Sequence, residues 1–418
     1  MEFRSTAAIA YLIGHYPGVT HTFILREVLQ LRRMGWRIET ASVNRPEWSQ
    51  DGIPEAEALE AARTFYVKAR GGPRILWDLA ACLVSRPRGF LSGLFFALRL
   101  GAFDLNAVLH HFFYFVEAVV VGQWMRRSNL RHLHVHFAIA TSTVALIVGK
   151  TYGIPYSIMV HGSDEFYDVS FHHLREKIEG ASFLCCVSRF CRSQLMAAAP
   201  RQHWEKLEIC PLGVDPEVFE PRHTATGRFN IACVGRMGPR KGQAVLLAAT
   251  ARLLQRGRGV HLSLIGDGPD RQALESEANR LNIRESVTFH GWINQSRIRE
   301  FLERADVFVL PSFAEGVPVC LMEAMAMEIP CIAPFIAGIP ELIHSGEDGI
   351  LVPASDADLL AEAIEKLIDD PALCRRLAQA GRRTVMDNYN LAANIERLAS
   401  VFDRRLQWKR QEAGKGAP

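Results

Sequence analysis

Read for hydrophobicity, the chain alternates short β-branched or apolar runs with longer stretches whose apolar residues recur every three to four positions. The short runs in the first half fall at Ala7–Ile13, Arg37–Val43, Thr64–Val67, Leu133–Phe137, Tyr156–Val160, Phe183–Val187 and Leu207–Cys210. In the second half they fall at Phe229–Val234, His261–Ile265, Val287–Phe289, Val307–Leu310, Cys331–Ala333 and Gly349–Val352. Helical periodicity fills the gaps, as in Phe23–Met34, Ala244–Gln255, Arg271–Leu281 and Asp358–Ile368. Strands alternating with helices of this length predict an α/β protein built on parallel sheets with helices on both faces.

At 418 residues the chain is too long for one ordinary core. The strand series pauses between Pro211 and Gly227, where Pro211, Gly213, Pro216 and Pro221 precede a polar run, and restarts at Phe229. We therefore expect two Rossmann-like, doubly wound domains, at 1–213 and 214–395. Residues 396–418 continue a helix over Leu391–Gln407, expected to cross back to the first domain, and end in a polar tail. In doubly wound sheets ligands bind outside the carboxyl ends of the strands, so the loops there hold the candidate chemistry.

Composition narrows the classes. A formal net charge of +3 argues against a nucleic-acid binder. The nine cysteines are scattered, with no CxxC pair, which predicts reduced thiols and a cytoplasmic setting. The first ten residues lack the apolar core of a secretory signal. Arg99, Asp104, His110, His111 and Glu117 interrupt the apolar segment Phe90–Met125, so no membrane span is expected there. Between Arg63 and Arg127, however, nine Lys or Arg stand against three Asp or Glu, interleaved with Phe95, Phe96, Phe112, Phe113, Phe115 and Trp124. That mixture suits peripheral contact with an anionic leaflet, or else two core helices with solvated arginines.

Two loops follow predicted strands of the second half. Gly235-Arg236-Met237-Gly238-Pro239-Arg240-Lys241-Gly242 combines glycines that admit close approach with cations that can neutralise a diphosphate, and it is not a Walker loop. Pro311-Ser312-Phe313-Ala314-Glu315-Gly316-Val317-Pro318 leads into a helix carrying Glu323, with Pro318 suited to its first turn. Amides at a helix start favour phosphate. Two carboxylates beside an anion site make sense if they bind sugar and ribose hydroxyls.

The Glu315-x7-Glu323 pair, the Gly235–Gly242 loop and His161-Gly162-Ser163-Asp164 together resemble family 4 of the retaining glycosyltransferases, whose fold is GT-B, two Rossmann-like domains facing a central cleft. The link Pro211-Leu212-Gly213-Val214-Asp215 is similar to that family's inter-domain segment, and the likeness runs over nearly the whole chain. It implies transfer of a hexose from a UDP- or GDP-linked sugar to a saccharide acceptor, without metal or other cofactor. Arg236 and Lys241 would hold the diphosphate; Glu315 would contact donor-sugar hydroxyls, with Gly235, Gly316 and Val317 close to the donor. Glu323 would bind the ribose. His161 would face the reacting centre, and Asp164 would either stand beside it or cap the following helix. The family's expected route is front-face displacement, the departing phosphate helping to deprotonate the acceptor.

The acceptor belongs on this reading to the first domain, at Gly14, Gly18, Thr20, His21 and His136. The segment Gly14–Phe23 and the run His134-Val135-His136-Phe137-Ala138 resemble a subgroup that builds exopolysaccharide repeat units of the colanic-acid type. That subgroup generally has Ser-Glu-Thr-Phe where this chain has Thr20-His21-Thr22-Phe23, so His21 replaces a carboxylate; Thr20 and Thr22 read equally as helix caps. A polyprenyl-diphosphate-linked saccharide on the cytoplasmic membrane face is the expected acceptor. His132, His134 and His136 alternate on one strand face, but no nearby residue supplies a further metal ligand, and Asp356-Ala357-Asp358 reads as a helix cap. The alternatives are a GT-B sugar phosphorylase, a nucleotide-sugar epimerase and a non-catalytic partner protein. Nothing in the sequence calls for the phosphorylase's pyridoxal phosphate, and the retention of His161, Arg236, Lys241, Glu315 and Glu323 argues for turnover.

Overall fold

Each apolar run becomes a strand because its two faces are covered by the helices that precede and follow it. The computed structural model describes residues 8–18, 22–46, 55–101, 104–170, 172–224 and 227–406, with the side chains of 163, 164, 295 and 296 outside that description. In chain order the strands are β1 (Ala8–His15), β2 (Arg37–Asn44), β3 (Phe65–Tyr66), β4 (Leu130–His136), β5 (Tyr156–Val160), β6 (Phe183–Cys186) and β7 (Leu207–Ile209). They continue with β8 (Phe229–Val234), β9 (Val260–Ile265), β10 (Val287–Gly291), β11 (Val307–Val309), β12 (Cys331–Pro334) and β13 (Ile350–Val352). Every expected strand is present, with ends moved by pairing: β4 starts at Leu130 rather than Leu133 because Leu130 pairs with Ala8 across a register shift.

The first seven strands form one parallel sheet in the order β3-β2-β1-β4-β5-β6-β7, with Tyr11 opposite Thr40 on one side and His134 on the other. The last six form a second parallel sheet in the order β10-β9-β8-β11-β12-β13. Chain direction along the sheet reverses between β1 and β4 in the first, and between β8 and β11 in the second. A crevice opens at the carboxyl ends of the strands at each reversal, and the motif-bearing loops lie there.

The chain divides into two units. One runs to Val187 and takes in Cys191–Cys210 and the chain from Ile395; the other holds Ser188–Phe190 and Pro211–Asn394. The first core gathers Leu12, Leu133, Val135 and Ile158 with Ile147 of the helix Ala140–Tyr152. The second gathers Ile231, Leu262, Leu264 and Val309 with Leu246 of the helix Gln243–Gln255. The helix Leu391–Leu406 ends in the first unit. Its Phe402 is fully buried, 5.1 Å from the ring of His134 and 5.8 Å from Trp36, while Arg404 and Arg405 pair with Glu208.

Candidate active site

In the second unit the two motif loops leave adjacent strands, β8 and β11, and touch. Gly242 has φ of +63°, and a Cβ there would sit 2.1 Å from the carbonyl oxygen of Pro311. Phe313 N–H donates to Arg240 O at 2.8 Å, and Lys241 Nζ donates to Glu315 Oε1 at 2.5 Å. Burial disfavours the Lys241 ammonium, yet the Glu315 carboxylate holds its pKa above the ordinary lysine value. Arg236 is exposed, and its carbonyl accepts from Gln243 Nε2 at 3.1 Å. Around Gly235 a Cβ would meet nothing within 4 Å, which leaves open space beside the cation. Glu323 stands on the helix Val319–Ala326, with Pro318 at its N-cap, and is almost wholly buried, as is Val317. Gly316 O accepts from Gly338 N–H at 3.1 Å. Burial raises the Cys320 thiol, and Glu315 and Glu323 add to the rise while Lys241 opposes it, so all three charged groups act on one point. Asp356 accepts from the N–H groups of Asp358 and Leu359, so the Asp356-Ala357-Asp358 match is a helix cap.

In the first unit, His161 follows β5, and a buried carboxylate fixes its backbone. Glu165 accepts from Ala138 N–H at 2.5 Å, His161 N–H at 2.7 Å and Gly162 N–H at 2.5 Å. Burial pushes Glu165 up to about 7, against those three donors and Lys177. The buried Lys177, brought down to about 7 by the same desolvation, donates to the carbonyls of Ala138 and Ile139 at 2.9 and 2.7 Å. Sequence reading missed both residues. The available signal was Glu165 three residues after Gly162, the spacing at which a carboxylate turns back onto the N–H groups of its own turn.

His136 is corrected here: it is fully buried, not part of an acceptor-side surface. Its Nδ1 lies 3.1 Å from His161 Nε2, and its Nε2 lies 3.4 Å from Glu27 Oε1, which also accepts from Tyr11 Oη at 2.8 Å. Ser157 Oγ stands 2.7 Å from both His132 Nε2 and His134 Nδ1. The fold thus supplies what the sequence neighbourhood lacked: one ligand atom each of Glu27, His134 and His136 lie within 4.8 Å of one another. Glu27 too was missed, although it occupies the apolar stripe of its helix with Ile24, Val28 and Leu31.

The carboxyl ends of β1, β2 and β4 border a cavity of about 290 Å3 whose lining includes Gly14, Asn44, Lys68, Tyr114, Glu117 and Thr141. Lys68 Nζ donates to Asn44 Oδ1 at 3.0 Å and lies 3.5 Å from Glu117, whose pKa burial raises and Lys68 lowers. Gly18 lies in the loop leaving β1. Thr20 and His21 lie outside the described residues, as does the side chain of Asp164, whose backbone belongs to the short turn Ser163–Phe166.

Tyr114 and Glu117 sit on the helix Leu105–Arg127, which packs against the helices Gly72–Ser85 and Pro87–Leu100. This helix is long and apolar enough to cross a membrane by length and composition, with a mean hydropathy of 1.4 over 18 residues, of which 44% are buried in the protein. Of the residues that interrupt Phe90–Met125, His110, His111 and Glu117 lie within this helix, whereas Arg99 and Asp104 precede it. The buried residues concentrate in the second half of the helix, whereas Leu105, Leu109 and Phe113 are exposed. Trp77 and Phe95 on the neighbouring helices are 69% and 70% exposed, with Arg74, Arg88 and Arg99 exposed among them.

Two doubly wound parallel sheets with motif loops at their switch points define the GT-B class. The crystal structure of Anabaena Alr3699/HepE in complex with UDP and glucose is similar over 95% of this chain and 100% of that one, with a TM-score of 0.72 at 16% identity. Residues 215–384 match the family model described as Glycosyl transferases group 1, and residues 94–218 that of Glycosyltransferase Family 4. The alpha-D-kanosaminyltransferase of Streptomyces kanamyceticus is 33% identical over 339 residues, 73% of this chain and 88% of that one. The putative colanic acid biosynthesis glycosyltransferase WcaL of Escherichia coli K12 is 25% identical over 419 residues, 94% of this chain and 99% of that one. The chain belongs to glycosyltransferase family 4.

Proposed function

We propose that this protein is a retaining, metal-independent hexosyltransferase that uses a UDP- or GDP-linked sugar and acts on a lipid-linked saccharide at the cytoplasmic face of an anionic membrane. The observation that carries the reading is the Lys241–Glu315 pair at the switch point of the second sheet, where a cation and a hydroxyl-binding carboxylate lie 2.5 Å apart. A donor diphosphate takes Lys241 and Arg236 as its counter-charges, which stabilise the charge developing on the leaving nucleotide. Glu315, released from the lysine, accepts from sugar hydroxyls, and Glu323 from the ribose. The acceptor hydroxyl attacks the anomeric carbon on the face the nucleotide leaves, and its proton passes to the departing phosphate.

The acceptor half rests on the cavity beside Gly14 and on the apolar, arginine-bearing surface that shares the helix Leu105–Arg127 with it. A lipid leg laid against that surface brings its saccharide to Asn44, Lys68 and Glu117. The colanic-acid-type relative, aligned over 94% of the chain, supports an exopolysaccharide intermediate as the acceptor.

The test is nucleotide release from a panel of UDP- and GDP-sugars with chelator present, comparing wild type with Glu315→Ala and Lys241→Ala. Release from one donor that both substitutions abolish bears the reading out and names the donor. Release that requires an added divalent ion overturns metal independence, and a trapped sugar adduct on the chain overturns the front-face route. No release from any donor, with lipid-linked acceptors supplied, turns the reading toward a non-catalytic partner.

A further inference from the structure

The cavity at the carboxyl ends of β1, β2 and β4 has a polar corner assembled from three separate elements. Asn44 ends β2, Lys68 follows β3, and Glu117 stands on the helix Leu105–Arg127. Asn44 Nδ2 donates to Gly14 O at 3.1 Å, which turns Asn44 Oδ1 toward Lys68 Nζ at 3.0 Å. Glu117 Oε1 lies 3.5 Å from the same ammonium. The Lys68 side chain is 58% exposed and that of Glu117 10%, so a deep carboxylate is paired with a cation nearer to solvent. Elsewhere the wall is largely apolar, with Val43, Tyr114 and Phe137, and exposed His15 is the only other basic side chain among the described lining residues.

We infer that this cavity selects a neutral sugar presenting two adjacent hydroxyls and rejects a uronic acid, with Lys68 and Glu117 as the specificity-determining residues. The inference deepens the transferase reading and rests on it for placing the acceptor here. An ammonium has three N–H donors; Asn44 and Glu117 face two of them, which leaves one for a ligand oxygen. Lys68 favours the ionised form of Glu117, and an ionised carboxylate only accepts, so the group that meets it must be a hydroxyl that donates. A pyranose supplies both partners in neighbouring hydroxyls, and its C–H face packs on the apolar and aromatic wall.

Charge balance decides between sugar classes. Glu117 already compensates Lys68, so a neutral ligand leaves the pair intact. A hexuronate brings a second carboxylate beside the first in a site partly removed from water, where like charges repel with little screening. The same repulsion keeps a lipid diphosphate out of this corner and leaves it to the arginine-bearing surface outside.

The experiment is saturation-transfer NMR of the full chain without donor, setting methyl glucoside, galactoside and mannoside against methyl glucuronide and galacturonide. We expect wild type to bind at least one neutral glycoside, and the uronides about tenfold more weakly or not at all. In Glu117→Gln the lysine loses its counter-charge, and the uronide-to-neutral affinity ratio is expected to rise by about tenfold or more, a reversal that a merely structural glutamate would not produce. Lys68→Met should weaken the neutral glycoside without admitting the uronides. A wild-type preference for a uronide overturns the proposal, as does an unchanged ratio in Glu117→Gln or the absence of binding by any glycoside. If Glu117→Gln does not fold, the comparison of wild type with Lys68→Met decides. Nucleotide release is measured on the same wild-type preparation. Release from a donor without the sugar pattern overturns this inference alone. The sugar pattern with no release from any donor leaves the specificity standing and removes the transferase reading.

Discussion

Lys241 Nζ and Glu315 Oε1 meet at 2.5 Å although they are separated by more than 70 positions in sequence, and each side chain compensates the other's partial removal from water. Removing the lysine alone leaves Glu315 desolvated and unpaired. Lys241→Ala is expected to cost about 2–4 kcal/mol of stability, read by urea unfolding, and Lys241→Ala with Glu315→Ala is expected to recover part of it. A double substitution that destabilises by the sum of the singles would show the pair to be uncoupled.

Gly242 sets how closely the two donor-side loops approach. Gly242→Ala must displace the Pro311 carbonyl and hold a left-handed alanine, at an expected cost of order 1–3 kcal/mol. Nucleotide affinity, measured by titration calorimetry, should fall with it. Gly238→Ala is the control, since a Cβ there meets nothing within 4 Å; it should leave stability near the wild-type value.

Glu165 gives the first unit a pH dependence whose direction is fixed. Its folded pKa is raised to about 7 from an ordinary 4.5, so its contribution to stability is fully present below the lower value and is lost as pH rises through the upper. Glu165→Gln removes that dependence. The advantage of wild type over variant in Tm should narrow as pH is raised from 4.5 to 7. A gap that widens over this interval would mean that the three backbone donors, and not burial, set the carboxyl's protonation.

The apolar surface around Trp77 and Phe95 should bind vesicles containing anionic lipid, and more weakly as salt is raised. Replacing both aromatics by Ser is expected to weaken flotation with such vesicles by about tenfold or more, equivalent to about 1.4 kcal/mol, with no loss of thermal stability because neither ring is buried. Wild-type protein that stays at the bottom of the gradient with anionic vesicles would remove the membrane from the acceptor reading.

The strand series was legible because buried parallel strands are written as local apolar runs, and the donor loops because their glycines and charges are contiguous in sequence. Glu165 and Lys177 were not legible as a support for the His161 loop, since each reads as an ordinary helix-associated charge until the fold buries it. His136 was misplaced for a related reason. Period-two alternation establishes that His132, His134 and His136 share a strand face, but not what covers that face. Glu27, from a helix more than one hundred residues earlier, and Phe402, from the helix Leu391–Leu406, are what cover it.

Phe402 belongs to the helix Leu391–Leu406, and its ring packs on residues of β4, β6 and the Trp36 turn. During synthesis every described strand of both sheets leaves the ribosome before this ring does. The first unit is therefore completed only after the second sheet has been made, its histidine-lined interior closed by the helix Leu391–Leu406. A chain stopped at Asn394 would hold every described strand of both sheets and leave the histidine face of β4 without the ring of Phe402.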